Sequence, residues 1–279
     1  MRRLVIIFIL FLLANSAYLH RVPGLLGDEG SEGENVYQLL HGESLPIVGE
    51  RSYIGPIIDY VRVPYVAVFG YTPLALRALM LTASIATFFL AYSVLKKLFG
   101  EDIGIIALVV LLFSPIFLLQ QRIGWAITLN SFFLWLMLYI LQSHWKHKWL
   151  LAGLAGGIGL SNDIIFLPTL IAVSNCCTIS YIFSGNMREK LRTFVLSSWL
   201  IAVGFIAGFG TQLAVISLMK EDQGSRSEVV ALFSSRLHDF LPSLPLYISG
   251  SSYVARYTGT EFSPVAISAI SQVLSVFSC

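Results

Sequence analysis

Apolar residues run along this chain in long stretches with short polar breaks, without the two-residue alternation of a half-buried strand. The first run, Leu4 to Tyr18, follows Met1-Arg2-Arg3, and others extend from about Pro73 to Leu95, Ile103 to Gln120 and Trp125 to Gln142. Leu150 to Phe183 is long enough for two short spans, broken near Ser161-Asn162-Asp163, and Thr193 to Leu218 makes another. Ser263 to Cys279 reads as an eighth that stops before its flank. Crossing the hydrocarbon core of a bilayer takes roughly 20 apolar residues. Backbone in lipid must satisfy its own hydrogen bonds, so helices are the expected form. The pattern predicts an all-α, polytopic transmembrane bundle of about seven to eight spans, one membrane domain over residues 1–279. Ala14-Asn15-Ser16-Ala17 resembles a small-residue cleavage site, but the equally apolar downstream segments favour a retained first span.

Composition agrees: 56% of the 279 residues are hydrophobic, 12% are charged, and the mean hydropathy is +0.76. A water-soluble surface needs about twice that charge. The net charge of +2 gives no reason to expect a nucleic-acid partner. Cys176 and Cys177 are adjacent in an apolar run and Cys279 is the last residue, which suits buried packing rather than a disulfide framework or metal site.

Charge changes the picture through its asymmetry. Alternate threading puts Lys96-Lys97, Lys146-His147-Lys148 and Arg188-Glu189-Lys190-Leu191-Arg192 in short loops on the side of Met1. That side holds nine Lys/Arg and three Asp/Glu, the other nine and thirteen. Short basic loops face the cytoplasm, so the N-terminus is expected there. Two long loops, about residues 20–72 and 219–262, then lie on the extracytoplasmic or lumenal side.

The first of these loops carries the candidate chemistry. Asp28 and Glu29 follow the first span closely, between Gly27 and Gly30. Ser31 with Glu34 three residues on has the spacing of a capping box, and Val36, Leu39 and Leu40 form an apolar stripe. The result would be a surface-lying helix that holds the acidic pair at the interface. The plainer reading is two acids favouring a helix N-terminus through its dipole. Pro56 to Phe69 is a second short segment, with Asp59 and Arg62 spaced to pair on a helix.

Cations on the same side include Arg122, in the very short turn Gln120 to Gly124, and Arg77, near the outer end of its span. Arg122 would lie at phosphate depth or snorkel from a helix end; pairing with an acid or snorkelling suits Arg77 better than substrate contact. SSRLHDFLPSLPLYISGSSYVARYTG, in the second long loop, adds Arg236, His238, Asp239 and Arg256. Asp163, at the break between two short spans, is either an acid at membrane depth with a function or a helix cap.

The order of these features resembles the GT-C membrane glycosyltransferases, especially the branch of dolichyl-phosphate-mannose-protein mannosyltransferases and aminoarabinose transferases. The resemblance rests on Asp28-Glu29 after the first span, the helix ending at Tyr37 to Gly42, and PYVAVFGYTPLALRALMLTASIATFFLAYSVLKKLFG. QRIGWAITLNSFFLWLMLYIL and WLLAGLAGGIGLSNDIIFLPTLI continue the likeness, which covers about residues 1–200. It implies transfer of a sugar from a polyprenyl-phosphate carrier to a hydroxyl acceptor on the outer face. Asp28 matches the family's base or acceptor-positioning carboxylate, with Glu29 its neighbour. The leaving phosphate needs positive charge from Arg122, Arg236, His238, a helix N-terminus or a divalent metal; Asp163 completes the candidate substrate-binding set.

The chain departs from the pattern in two places. Arg122-Ile123-Gly124-Trp125 offers no second acid, and the family's further spans are missing after Cys279. A truncated copy, or a half that pairs with a partner subunit, is therefore among the expectations. Rival classes are a lipid or solute transporter or flippase component and a non-catalytic membrane subunit; the clustering of acids in one outer loop argues against ion coupling.

Overall fold

The computed structural model describes residues 2–21, 27–43, 54–183, 197–210 and 212. The described residues contain no strand; a single isolated antiparallel bridge joins Ile54 and Asp163. The helices are α1 (Arg2–Ser16), α2 (Gly27–His41), α3 (Ile57–Phe69), α4 (Pro73–Phe99), α5 (Glu101–Leu112), α6 (Pro115–Gln121), α7 (Leu129–Gln142), α8 (Lys148–Asn162) and α9 (Leu167–Phe183). A further apolar helix, α10, covers Ser197–Gly210. The second long loop and the segment from Ser263 to Cys279 lie outside the described residues.

Helix α4 is the pillar of the bundle and, among the described residues, the one helix long and apolar enough to cross a membrane. Thr72 caps it, its hydroxyl accepting from the Ala75 N–H at 3.3 Å, and Pro73 occupies the first turn, where no N–H is needed. At its other end Gly100 takes φ 82, a left-handed conformation that stops the helix. Ile58, Leu79, Met80, Leu129, Phe133 and Phe166 form one core between α3, α4 and α7. Phe11, Phe88, Leu108, Leu112 and Phe117 form another, which seats α1 and α5 against α4.

Two sequence expectations shift. The run from Ile103 to Gln120 is not one span, because the helix stops at Leu112 and restarts at Pro115. Ser114, extended at φ −65 and ψ 135, accepts from the Phe117 N–H at 3.3 Å, as the steric demands of the following proline require. Cys176 is exposed on α9 rather than packed inside. The break expected near Ser161-Asn162-Asp163 is present: Asp163 leaves the helix at φ −157, ψ 128, and its Oδ1 accepts from the Ile165 N–H at 2.8 Å.

Helices α8 and α10 meet backbone to backbone. Gly153 and Gly157 on α8 face Gly204 and Gly208 on α10, both pairs four residues apart. A Cβ added to Gly153 would lie 2.1 Å from the Ile201 carbonyl oxygen, and one on Gly204 would lie 2.0 Å from that of Leu150. Paired small residues of this kind let helices approach where no hydrophobic effect drives them together, as in lipid. The outward stripes are apolar too: Ile103, Ile106 and Val110 on α5, and Trp199, Val203 and Ile206 on α10. A helix facing water would be polar there; this bundle is built for an apolar solvent.

Candidate functional site

The site is organised by the inward face of α2. Its buried positions are Glu29, Glu32 and Val36, spaced i, i+3 and i+7, so the helix turns two carboxylates into the protein. Val36 packs against Val66, Ala75 and Leu76, which fixes α2 on α3 and the first turn of α4. Leu40 is exposed, and Ser31 is no N-cap: its hydroxyl donates to the Gly27 carbonyl at 3.3 Å, one turn inside a helix that already begins at Gly27. The acids belong to the buried side of α2, and that sets its register.

Each carboxylate meets a buried arginine. Arg77 grips Glu29 with two parallel bonds, Nε to Oε1 at 2.8 Å and Nη2 to Oε2 at 2.6 Å, and donates a third to the Leu19 carbonyl at 2.9 Å. Arg62 pairs with Glu32 and lies 3.9 Å from Asp59 on its own helix. Asn35 donates to the other Asp59 oxygen at 3.2 Å. The turn after α6 serves both pairs with its backbone. The Gly124 N–H donates to Glu29, the Gly124 carbonyl accepts from Arg62, and the Ala126 N–H donates to Glu32 at 3.2 Å. Gly124 must be small, since a Cβ there would lie 3.0 Å from Glu29 Oε1.

Asp163 closes the far side. It is buried beside Asn162, whose amide donates to the Ala126 carbonyl at 2.8 Å. Glu29, Glu32 and Asp59 thus face two fully buried guanidinium groups, with Asp163 near Glu32, so buried carboxyl groups outnumber the arginines. Burial pushes the Glu32 carboxyl above the usual carboxylate range despite Arg62, and the charge of Glu29 adds to the rise. Burial pushes Asp163 up from 3.8 to about 6; the Ile165 N–H bond opposes the rise and the nearby charge of Glu32 adds to it.

This architecture has a solved counterpart. ArnT from Cupriavidus metallidurans, crystallised with undecaprenyl phosphate bound, superposes with a TM-score of 0.61 over 89% of this chain and 48% of its own, at 13% sequence identity. The fold is GT-C-like. The chain spans about half the length of ArnT. No family model and no curated protein matches the sequence.

Within the GT-C-like fold, the residues singled out from sequence separate. Asp28 stands in the first turn of α2, directly before Glu29. Glu29 is fully buried in its ion pair. Arg122 is half-buried and donates to the carbonyls of Ala14 and Ala17 at the end of α1; burial, and then the charge of Arg77, lower its pKa. Asp163 joins the buried cluster through Glu32. Arg236 and His238 lie outside the described residues.

Sequence reasoning found Asp59 spaced to pair with Arg62 and gave Arg77 either an acid or a snorkelling position, of which the structure has the acid, but it missed Glu32 and Asn162. The signal for Glu32 was its spacing of three from Glu29, which puts both on one helical face. Among the described residues, no three His, Cys, Asp or Glu side chains gather as a metal site.

Proposed function

We propose that this chain is an integral membrane glycosyltransferase that moves a sugar from a polyprenyl-phosphate carrier to a hydroxyl acceptor at the extracytoplasmic face. The observation that carries this reading is the anchoring of the first turn of α2 by the Glu29–Arg77 pair, in a fold like that of a protein crystallised with undecaprenyl phosphate. Asp28 is the carboxylate that takes or shares the acceptor proton as the acceptor oxygen attacks the anomeric carbon. The carbon–oxygen bond to phosphate breaks, and the carrier leaves as its phosphate.

Positions 28 and 29 are about 100° apart around a helix, so one residue anchors while its neighbour is free for a different role. Glu29 is then a positioning residue. Arg122, with Arg236 and His238 of the 219–262 loop, supplies the charge that receives the leaving phosphate, a task a divalent metal would also perform. Asp163, beside Glu32, belongs to the substrate-binding set on this reading.

The test is sugar transfer from a panel of labelled polyprenyl-phosphate sugars in membranes that contain the chain. Asp28→Asn should lower transfer by at least about 100-fold while the protein still inserts and accumulates normally. Transfer at the unsubstituted rate would remove Asp28 from the chemistry.

A further inference from the structure

At the opposite end of the bundle, between the last turn of α4 and the end of α7, lies an open cleft of about 310 Å³ lined by Ser93, Lys97, Tyr139, Gln142, His144 and Trp145, with Ser143. Phe89, Ser93 and Lys97 stand at i, i+4 and i+8, so one face of α4 passes from apolar through hydroxyl to cationic as it reaches the end of the helix. Phe89 and Lys97 are exposed, and Ser93 between them is half-buried. The two described acids of this end are engaged elsewhere: Glu101 pairs with Lys96 at 3.2 Å and Asp102 with Arg3 at 3.3 Å. Among the described residues, no carboxylate pairs with Lys97, Lys146 or Lys148.

The Lys97 ammonium donates to the Gln142 carbonyl and, with three N–H bonds to give, has donors left over. The side-chain oxygen of Gln142 is buried and accepts from no described group. The cleft therefore offers cationic donors for an anion and, close by, an acceptor for a hydroxyl. Trp145 is half exposed and meets Tyr139 edge-on at 6.1 Å, and aromatic pairs of this kind settle at headgroup depth in bilayers.

We infer that the α4–α7 cleft binds the headgroup of an anionic, hydroxyl-bearing glycerophospholipid: its phosphate on Lys97, its hydroxyl on Gln142, and its acyl chains along the face that carries Phe89. Basic clefts between helices at a membrane surface favour such lipids. The site is remote from the Glu29–Arg77 end and independent of the transferase reading.

The experiment is native mass spectrometry of the full chain released from detergent after titration with phosphatidylglycerol or phosphatidylcholine, with inorganic phosphate as a separate arm. Phosphatidylglycerol should be retained in preference to phosphatidylcholine. Lys97→Gln should weaken that retention roughly fivefold, and Lys97→Arg should keep it. Thermal unfolding without added lipid identifies any variant that has simply misfolded; Trp145→Ala, at an exposed position in the cleft wall, then replaces it. Equal retention of the two lipids, or unchanged retention in folded Lys97→Gln and Trp145→Ala proteins, would overturn the assignment. Stabilisation by inorganic phosphate equal to that by phosphatidylglycerol would also overturn it, in favour of a free-phosphate site.

Discussion

Glu29 and Arg77, 48 residues apart in the chain, meet with no solvent exposure on either side chain and share two hydrogen bonds at 2.8 and 2.6 Å. The pair joins the first turn of α2 to the first turns of α4. Removing one partner strands the other's charge inside the protein, whereas removing both exchanges an ion pair for apolar packing.

Glu29→Gln and Arg77→Met should therefore each destabilise the protein by about 3–5 kcal/mol, and the double variant Glu29→Met/Arg77→Met should regain most of that loss. Thermal or denaturant unfolding in detergent micelles measures all three. Losses that simply add would mean that the two side chains are not coupled.

Asp163 gives the protein a pH dependence of definite sign. Its carboxyl is raised from 3.8 to about 6 by burial and by Glu32, so between those values the folded protein binds more protons than the unfolded chain. Its stabilising effect is complete below 3.8 and is lost as pH rises through about 6. Glu32, raised in the same direction, adds to the trend. Asp163→Asn keeps an acceptor for the Ile165 N–H, so it should flatten the stability profile from pH 4 to 7 and raise stability at pH 7. An unchanged profile from unfolding curves across that range would assign the trend to other groups.

The α8–α10 contact makes a prediction about volume alone. A Cβ at Gly157 would lie 2.4 Å from the Phe205 carbonyl oxygen, so Gly157→Ile must push α10 away and should cost about 1–3 kcal/mol. Gly210→Ala is the control, because nothing lies within 4 Å of its Cβ position. Melting temperatures in detergent separate the two; similar shifts would mean that helix propensity, not contact, governs both.

Helix-forming runs, the break at Asp163 and the segment 57–69 were legible because each follows from local rules: apolar length, a polar interruption, a proline at a helix start. The two-part α5–α6 arrangement was legible in principle at Ser114-Pro115 and was masked by the apolar residues around it. The candidate site was only half readable. Asp28 and Glu29 stand out as an acidic pair, but which of two adjacent acids turns inward depends on Arg77 and Gly124, far away in the chain. The turn that offers no carboxylate contributes through its backbone N–H and carbonyl groups, which carry no signature in side-chain identity. The glycine seam was similarly hidden, since GLAGG and GFIAG gain meaning only when α8 and α10 are side by side.

The grip of Arg122 on the carbonyls of Ala14 and Ala17 spans up to 108 residues of chain and carries a consequence for biogenesis. A ribosome adding about 5–20 residues per second makes α1 several seconds or more before the side chain that fastens its end. Gly124, the backbone donor for Glu29, is 95 residues behind its own partner. The first helix is thus secured at its end only after α4, α5 and α6 have been made. Maturation of this end of the molecule waits on a tight turn synthesised nearly halfway along the chain.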